Sequence, residues 1–132
     1  MNITIDTSVI IAVIGDEKTK RTIIEKTEGC KLFAPTSVHW EIGNAFSALF
    51  KRNQISIAQA KLALSAYREI PIKLIDVPLD QAIEISNALK IYAYDAYLIQ
   101  CAQQTSTSLL TLDKGLSTAA NKLGIHLLEL EK

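Results

Sequence analysis

Hydrophobic residues recur along this chain with two spacings, and stretches of the two kinds alternate. Short apolar runs such as ITI and LLTL are typical of buried strands, whereas longer stretches with an apolar residue every three or four positions are typical of helices. The prolines Pro35, Pro71 and Pro78 each fall at a predicted element boundary. Ser56 and Gln59 have the spacing of a capping box, which marks the start of one helix.

The pattern predicts strands at residues 2–5, 31–34, 72–77, 109–112 and 125–130. It predicts helices at residues 8–14, 18–28, 38–52, 56–69, 79–90, 95–105 and 115–123. Strands that alternate with helices usually pair in parallel, with helices covering both faces of the sheet. We therefore predict one domain over residues 1–132, with a three-layer α/β/α fold and a central, mainly parallel sheet.

Acidic residues occupy four positions that folding alone explains poorly. Asp6 and Asp113 each close an apolar strand, Asp95 stands where an apolar helix is predicted to begin, and Glu41 lies about one turn into another. A carboxylate at such a position costs free energy unless it is paired or binds a cation. Because ligands of parallel α/β folds bind beyond the carboxyl ends of the strands, all four can converge there. A divalent cation, and hence phosphate chemistry, would account for them.

Each acid also has an ordinary interpretation. Asp95 can be a helix N-cap, Asp113 can be a turn residue, and Glu41 can be a solvated helix residue. Asp6 is hardest to explain in this way, because the sequence that follows it contains no turn glycine. The combination carries more weight than any one residue.

Polar residues beside these acids are the remaining candidates for the site. Thr7, Ser8 and Thr111 carry hydroxyls that can cap helices or orient carboxylates, and the sequence leaves both roles open. Asn44 shares a narrow polar stripe with Glu41 on the predicted helix. Lys114, which directly follows Asp113, is a candidate for contact with a phosphate. His39 and His126 have no partner at metal-ligand spacing, so neither is assigned a catalytic role.

Charge and composition limit the possible partners. Lys and Arg number 14, as do Asp and Glu, so the basic excess typical of proteins that grip long duplex DNA is missing. A nucleic-acid substrate would therefore be short or specifically shaped. No apolar run reaches the ~20 residues that cross a bilayer, and the first residues lack the features of a signal peptide. We predict a cytoplasmic protein without a membrane partner, with Cys30 and Cys101 as reduced thiols.

Four short motifs resemble those of the PIN domain family, in particular the prokaryotic VapC-type toxins. They are IDTSVI at residues 5–10, WEIGNA at 40–45, YDAY at 94–97 and LTLDKGL at 110–116. The resemblance extends over essentially the whole chain. It implies RNA cleavage that depends on Mg²⁺ or Mn²⁺, a small antitoxin partner and a homodimeric toxin.

The residue chemistry agrees with this resemblance. Asp6, Asp95 and Asp113 are predicted to ligate one or two ions directly or through water, and Glu41 is either a further ligand or the base that positions the attacking water. An aspartyl phosphatase of the Asp-x-Asp type would need an acid at position 8, where the chain has Ser8. Two alternatives stay open: a stand-alone PIN nuclease in RNA maturation or decay, and a non-catalytic, metal-binding module for RNA or protein.

The helices predicted between residues 38 and 64 carry more apolar side chains than one small core can use. We therefore predict a surface there for an antitoxin or a second copy of the chain. The candidate contact residues are Phe46, Leu49, Phe50, Ile55 and Leu62.

Overall fold

The computed structural model describes residues 1–130, which form four strands and seven α-helices. The strands are β1 (Asn2–Ile5), β2 (Lys31–Pro35), β3 (Ile72–Ile75) and β4 (Ser108–Leu110). The helices are α1 (Thr7–Ile14), α2 (Lys20–Thr27), α3 (Ser37–Lys51), α4 (Ile57–Glu69), α5 (Leu79–Leu89), α6 (Ala93–Thr105) and α7 (Lys114–Lys122).

All four strands pair in parallel, in the order β3-β2-β1-β4. The chain therefore moves outward from β1 through β2 to β3 and then crosses back to place β4 on the other side of β1. Because crossovers between parallel strands are normally right-handed, this order predicts α1 to α4 on one face of the sheet and α5 and α6 on the opposite face. In agreement, α1 contacts α2, α3 and α4, whereas α6 packs on α5 and on three of the strands. The predicted α/β fold with a parallel sheet is confirmed.

The core lies on both faces of this short sheet. Ile3, Leu109 and Leu110 are fully buried in the neighbouring strands β1 and β4, and Ile99 is fully buried in α6, the helix that packs on both. This burial is what the apolar strand runs predicted, since a parallel strand covered on both faces carries few polar positions. The capping box at the start of α4 is also confirmed, with Ser56 as its N-cap.

The strand predicted at residues 125–130 is reduced to a single bridge. Leu127 pairs with Leu109 in parallel, through hydrogen bonds that Leu109 N donates to His126 O and Leu128 N donates to Leu109 O, each 2.9 Å long. β4 has three residues and then leaves the sheet toward the acidic edge. It is therefore too short to pair with a six-residue neighbour.

The apolar surface predicted on α3 and α4 is smaller than the sequence suggested. Phe46 is 5% exposed and belongs to the core, and Leu49 and Ile55 are partly buried against it. Phe50 and Leu62 remain accessible, Leu62 with 74% of its surface exposed. No helix within residues 1–130 is both long and apolar enough to cross a bilayer.

Candidate active site

Two of the predicted acids lie where the strand order reverses. Asp6 follows β1 and Asp113 follows β4 by a few residues, and these strands are neighbours in the sheet. α1 begins directly after β1 and α7 begins shortly after β4, so both helices start at this edge, where ligands of parallel α/β folds usually bind. Asp6 caps α1 by accepting from Val9 N, and Asp113 caps α7 by accepting from Gly115 N at 2.8 Å. The capping role considered for Asp95 therefore belongs to these two acids.

The carboxylate of Asp6 is held on both oxygens. Its Oδ1 accepts from Ser8 Oγ at 2.6 Å and from Val9 N at 3.1 Å, and its Oδ2 accepts from Thr111 Oγ1. Ser8 Oγ in turn accepts from Leu112 N at 3.0 Å, so the start of α1 is tied to the loop after β4. Asp6 is 5% exposed, and its orientation is fixed by these contacts.

Glu41 reaches the same edge from the second turn of α3. Its Oε1 accepts from Thr7 Oγ1 at 2.9 Å and its Oε2 accepts from Ser37 Oγ at 2.8 Å. Sequence inspection did not single out Ser37. The available signal was its position four residues before Glu41, which puts both side chains on one helix face.

Asp95 is not the N-cap of α6. The helix begins at Ala93 with Tyr92 as its cap residue, so Asp95 is the third helical residue and lies in the first turn. Its side chain is partly buried and accepts no hydrogen bond from another side chain within residues 1–130. The positive end of the helix dipole favours a carboxylate at this position, but it offers no direct partner.

The pKa values of Asp6, Glu41 and Asp95 are raised by burial and by the charges of neighbouring acids. Burial raises the pKa of Asp6, and the charge of Asp113 raises it further, against the lowering effect of its hydrogen bonds. Burial likewise raises the pKa of Glu41, with contributions from the charges of Asp6 and Asp95. The pKa of Asp95 is raised by burial and then by the charges of Asp113 and Asp6. Each of the four carboxylates is therefore linked electrostatically to at least one of the others, and their assignment as a site stays a prediction.

No cationic side chain in the described part of the chain forms an ion pair with these acids. The salt bridge found there joins Lys20 to Asp16 at 3.3 Å, on an exposed stretch near the start of α2. Lys114 is exposed at the start of α7, next to Asp113. The negative charge at the sheet edge is thus compensated by hydroxyls and backbone amides.

Of the other polar candidates, three contact the acids and Asn44 does not. Thr7, Ser8 and Thr111 all donate to the acids, whereas Asn44 is exposed one turn beyond Glu41 without bonding to it. The histidines have partners elsewhere. His39 hydrogen-bonds with Tyr67 at 3.3 Å and His126 with Ser108 at 2.9 Å.

The donor set has the chemistry that a hard divalent cation requires, namely carboxylate oxygens from several elements. The side chains are not yet arranged as ligands, because within residues 1–130 no three acids, histidines or cysteines are grouped closely enough to hold an ion. The hydroxyls of Ser8, Thr111, Thr7 and Ser37 occupy the carboxylate oxygens instead. Binding would require Asp6 and Glu41 to exchange some of these contacts for a cation.

Comparison with known proteins identifies the family. The sequence model of the PIN domain matches residues 3–122, so the chain belongs to the PIN domain family, whose members are typically nucleases and generally use divalent metals. Compared with curated proteins by sequence alone, the chain has no match.

Solved structures share the fold at low sequence identity. PAE2754 from Pyrobaculum aerophilum superposes with a TM-score of 0.70 at 20% identity, over 90% of this chain and 87% of that one. VapBC2 from Rickettsia felis, bound to a DNA fragment from the VapBC2 promoter, superposes with a TM-score of 0.67 at 14% identity. The match covers 97% of this chain and 98% of that one. VapC20 from Mycobacterium tuberculosis, a Sarcin-Ricin loop cleaving toxin, superposes with a TM-score of 0.61 at 16% identity. The match covers 89% of this chain and 94% of that one.

Replacing Asp95 with Asn is expected to stabilise the protein in EDTA at pH 7. The folded state raises the pKa of Asp95, so the free energy of unfolding falls as pH rises from the ordinary value of 3.8 through the raised one. Asn removes this dependence, so the advantage of Asp95→Asn should shrink as pH is lowered toward 4. Thermal melts across this pH range measure the effect.

Asp80→Asn is the matched control, because Asp80 is an exposed acid in the first turn of α5. Loss of its charge removes a favourable interaction with the helix dipole and should cost up to about 1 kcal/mol. If Asp95→Asn behaves like this control at every pH, Asp95 is an ordinary helix-terminal acid.

Proposed function

We propose that this chain is a divalent-metal-dependent endoribonuclease that hydrolyses RNA phosphodiester bonds, and that it acts as the toxin of a VapBC-type toxin–antitoxin pair. One observation carries the nuclease proposal: at a single sheet edge, burial raises the pKa values of Asp6, Glu41 and Asp95, and neighbouring carboxylates among Asp6, Asp95 and Asp113 raise them further. A fold that keeps such repulsion without a cationic side chain gains most from a bound cation.

Asp6, Asp95 and Asp113 are the proposed ligands, directly or through water, and Glu41 is a further ligand or positions the attacking water. Bound Mg²⁺ or Mn²⁺, as one ion or two, would supply Lewis acidity toward the phosphate and make water acidic enough to ionise near neutral pH. Burial already raises the pKa of Glu41, which favours transfer of a proton to its carboxylate.

The remaining polar residues orient these groups. Ser8 and Thr111 hold the carboxylate of Asp6, and Thr7 and Ser37 hold that of Glu41, so both acids are ordered before a cation takes over some of these contacts. Lys114 is exposed at the positive N-terminus of α7, which supports a role in contacting an RNA phosphate. Asn44 stays a candidate for a contact made only with bound substrate.

RNA cleavage should require a divalent cation and the four acids. Purified protein with Mg²⁺ or Mn²⁺ should cleave RNA, and excess EDTA should abolish cleavage. Asp6→Asn, Asp95→Asn and Asp113→Asn should each reduce kcat/KM by more than the roughly 10–100-fold that loss of an outer hydrogen-bonding partner typically costs. Ser37→Ala should fall within that smaller range, because it removes one of the two hydroxyls that hold Glu41.

Ser47→Ala is the control for Ser37→Ala, since Ser47 lies on the same helix and bonds to the backbone at Asn44. It should leave kcat/KM unchanged. Cleavage that persists in EDTA, or Asn variants that remain fully active, would show that these acids serve folding and that the active site lies elsewhere.

The toxin role rests on the likeness in fold to VapBC2 and VapC20 and on exposed apolar side chains that a partner could cover. Phe50 and Leu62 are the accessible members of the predicted docking surface, which a small antitoxin and a second copy of the chain would share. A stand-alone PIN nuclease in RNA maturation or decay is the alternative with the same chemistry. A non-catalytic, metal-binding module would keep the acids without cleavage.

Expression of the protein alone is expected to arrest growth, whereas co-expression of a small protein encoded beside its gene should restore growth and lead to co-purification. Leu62→Ser should weaken that co-purification. Ile83→Ser, which replaces an exposed apolar residue on α5, is the control and should not. Harmless expression of an active nuclease with no co-purifying partner would contradict the toxin role and favour the stand-alone enzyme.

A further inference from the structure

A small pocket lies beyond the carboxyl ends of β2 and β3, beside the acidic site. Its volume is about 150 Å³, and we call it the Tyr97 pocket. The lining residues are Pro35, Thr36, Ser37, Asp76, Val77, Leu79 and Tyr97. Ser37 connects the two sites, because it lines the pocket and also donates to Glu41 Oε2 at 2.8 Å. A ligand in the pocket would therefore lie next to the proposed catalytic carboxylates.

Hydrogen bonds fix one wall of this pocket. Thr36 N donates to Ile75 O at 3.1 Å, and Thr36 Oγ1 donates to Asp76 Oδ1 at 3.4 Å. Gln104 Nε2 donates to the backbone oxygen of Asp76 at 3.0 Å. These contacts hold the loop between β3 and α5 against the start of α3 and the side of α6.

A buried amide supports that wall from within the protein. Gln100 is 6% exposed, and its Nε2 donates to Gln104 Oε1 at 3.2 Å and to Gln81 Oε1 at 2.9 Å. The proposed hydrolysis makes no use of this network. Its structural effect is to hold the exposed Gln104 in a position from which its amide reaches the backbone of Asp76.

The lining combines an aromatic ring, exposed aliphatic groups and a carboxylate. Tyr97 is held edge-to-face against Tyr94, with ring centroids 5.9 Å apart and an interplanar angle of 79°. Leu79 is 60% exposed, which leaves apolar surface for a ligand to cover. The carboxylate of Asp76 accepts from Thr36 on one oxygen, so further lone pairs on both oxygens face solvent. Such a pocket suits a planar ligand with two neighbouring N–H donors.

The size and charge of the pocket favour the base of a nucleotide over its sugar or its phosphate. The pocket has room for about five water molecules at roughly 30 Å³ each, well below the ~300 Å³ at which pockets begin to hold drug-sized ligands. One ring system fits this space better than a base together with its sugar and phosphate. Asp76 would repel a phosphate, and the pocket lining contains no Lys or Arg.

We infer that the Tyr97 pocket binds one unpaired nucleobase of the RNA substrate, with a preference for guanine; this inference rests on the proposed ribonuclease function. Guanine is the base whose Watson–Crick edge carries two adjacent N–H donors, at N1 and at the 2-amino group, and these match the two oxygens of Asp76. Tyr97 and Leu79 would cover the ring faces. Because the base must be splayed out, the substrate is a single-stranded segment or a loop.

Binding can be measured without any cleavage. Amide resonances of the isotope-labelled protein would be followed in EDTA during titration with GMP, AMP, CMP and UMP. Because the four nucleotides share ribose and phosphate, differences between them report on the base. GMP should shift the amides of residues 36–37, 76–77 and 79 and bind most tightly. Asp76→Asn should weaken GMP binding at least about tenfold, because hydrogen bonds to a charged group are among the strongest.

Asp80→Asn is the matched control, since it removes the same charge four residues away and lies outside the pocket lining. It should leave GMP binding unchanged. The inference is overturned if GMP does not shift the pocket amides, if UMP binds as tightly as GMP, or if Asp80→Asn weakens binding as much as Asp76→Asn.

Mapping of cleavage sites in a randomised single-stranded RNA separates this inference from the nuclease proposal. The wild-type protein should enrich guanine at one fixed position relative to the cut. Asp76→Asn should lose that enrichment, so that the remaining cleavage shows no base preference at that position, and Asp80→Asn should keep it. Cleavage without guanine enrichment would overturn the inference and leave the nuclease intact. Selective GMP binding by a protein that cleaves no RNA would support the pocket and overturn the proposed function.

Discussion

Repulsion among four carboxylates at one edge of the sheet is the constraint to which the surrounding structure responds. Two like charges about 4 Å apart repel by roughly 4 kcal/mol at an effective dielectric constant near 20. The fold brings Asp6 and Asp113 to this edge because β1 and β4 are neighbours where the strand order reverses. Hydroxyls and backbone amides from α1 and the loop after β4 surround Asp6 and offset part of this repulsion.

The positive N-termini of three helices also offset part of this negative charge. Asp6 caps α1, Asp113 caps α7 and Asp95 lies in the first turn of α6, so three positive helix ends point toward the same negative charges. Capping and cation binding are therefore compatible roles for the first two residues. Asp95 differs from them, because it has charged neighbours and no hydrogen-bonding side chain within the described residues 1–130. The pKa of Asp95 is therefore raised, and no hydrogen bond from a described side chain stabilises its charged form.

The sequence predicted those features that depend on the local order of residues. Alternating apolar runs and helical periods indicated the parallel sheet, and acids after strands indicated the edge where they meet. The strand predicted at residues 125–130 failed because its length depends on how far β4 extends as a partner. Phe46 was assigned to the surface because sequence does not show which side of α3 meets the core. Asp76 acquires its role from a contact across the fold, with Thr36, which no local pattern shows. Ser37 contacts Glu41 within one helix, so its spacing of four residues was the only sequence signal for its role.

The most direct test of the account is a carbon-detected NMR titration of the aspartate and glutamate carboxyl groups, with and without Mg²⁺. In EDTA, Asp6, Glu41 and Asp95 should titrate above their ordinary pKa values, because burial and neighbouring charges disfavour ionisation. Added Mg²⁺ should lower the pKa values of these three groups together. Raised pKa values that do not respond to Mg²⁺ would contradict the claim that the cluster is a cation site.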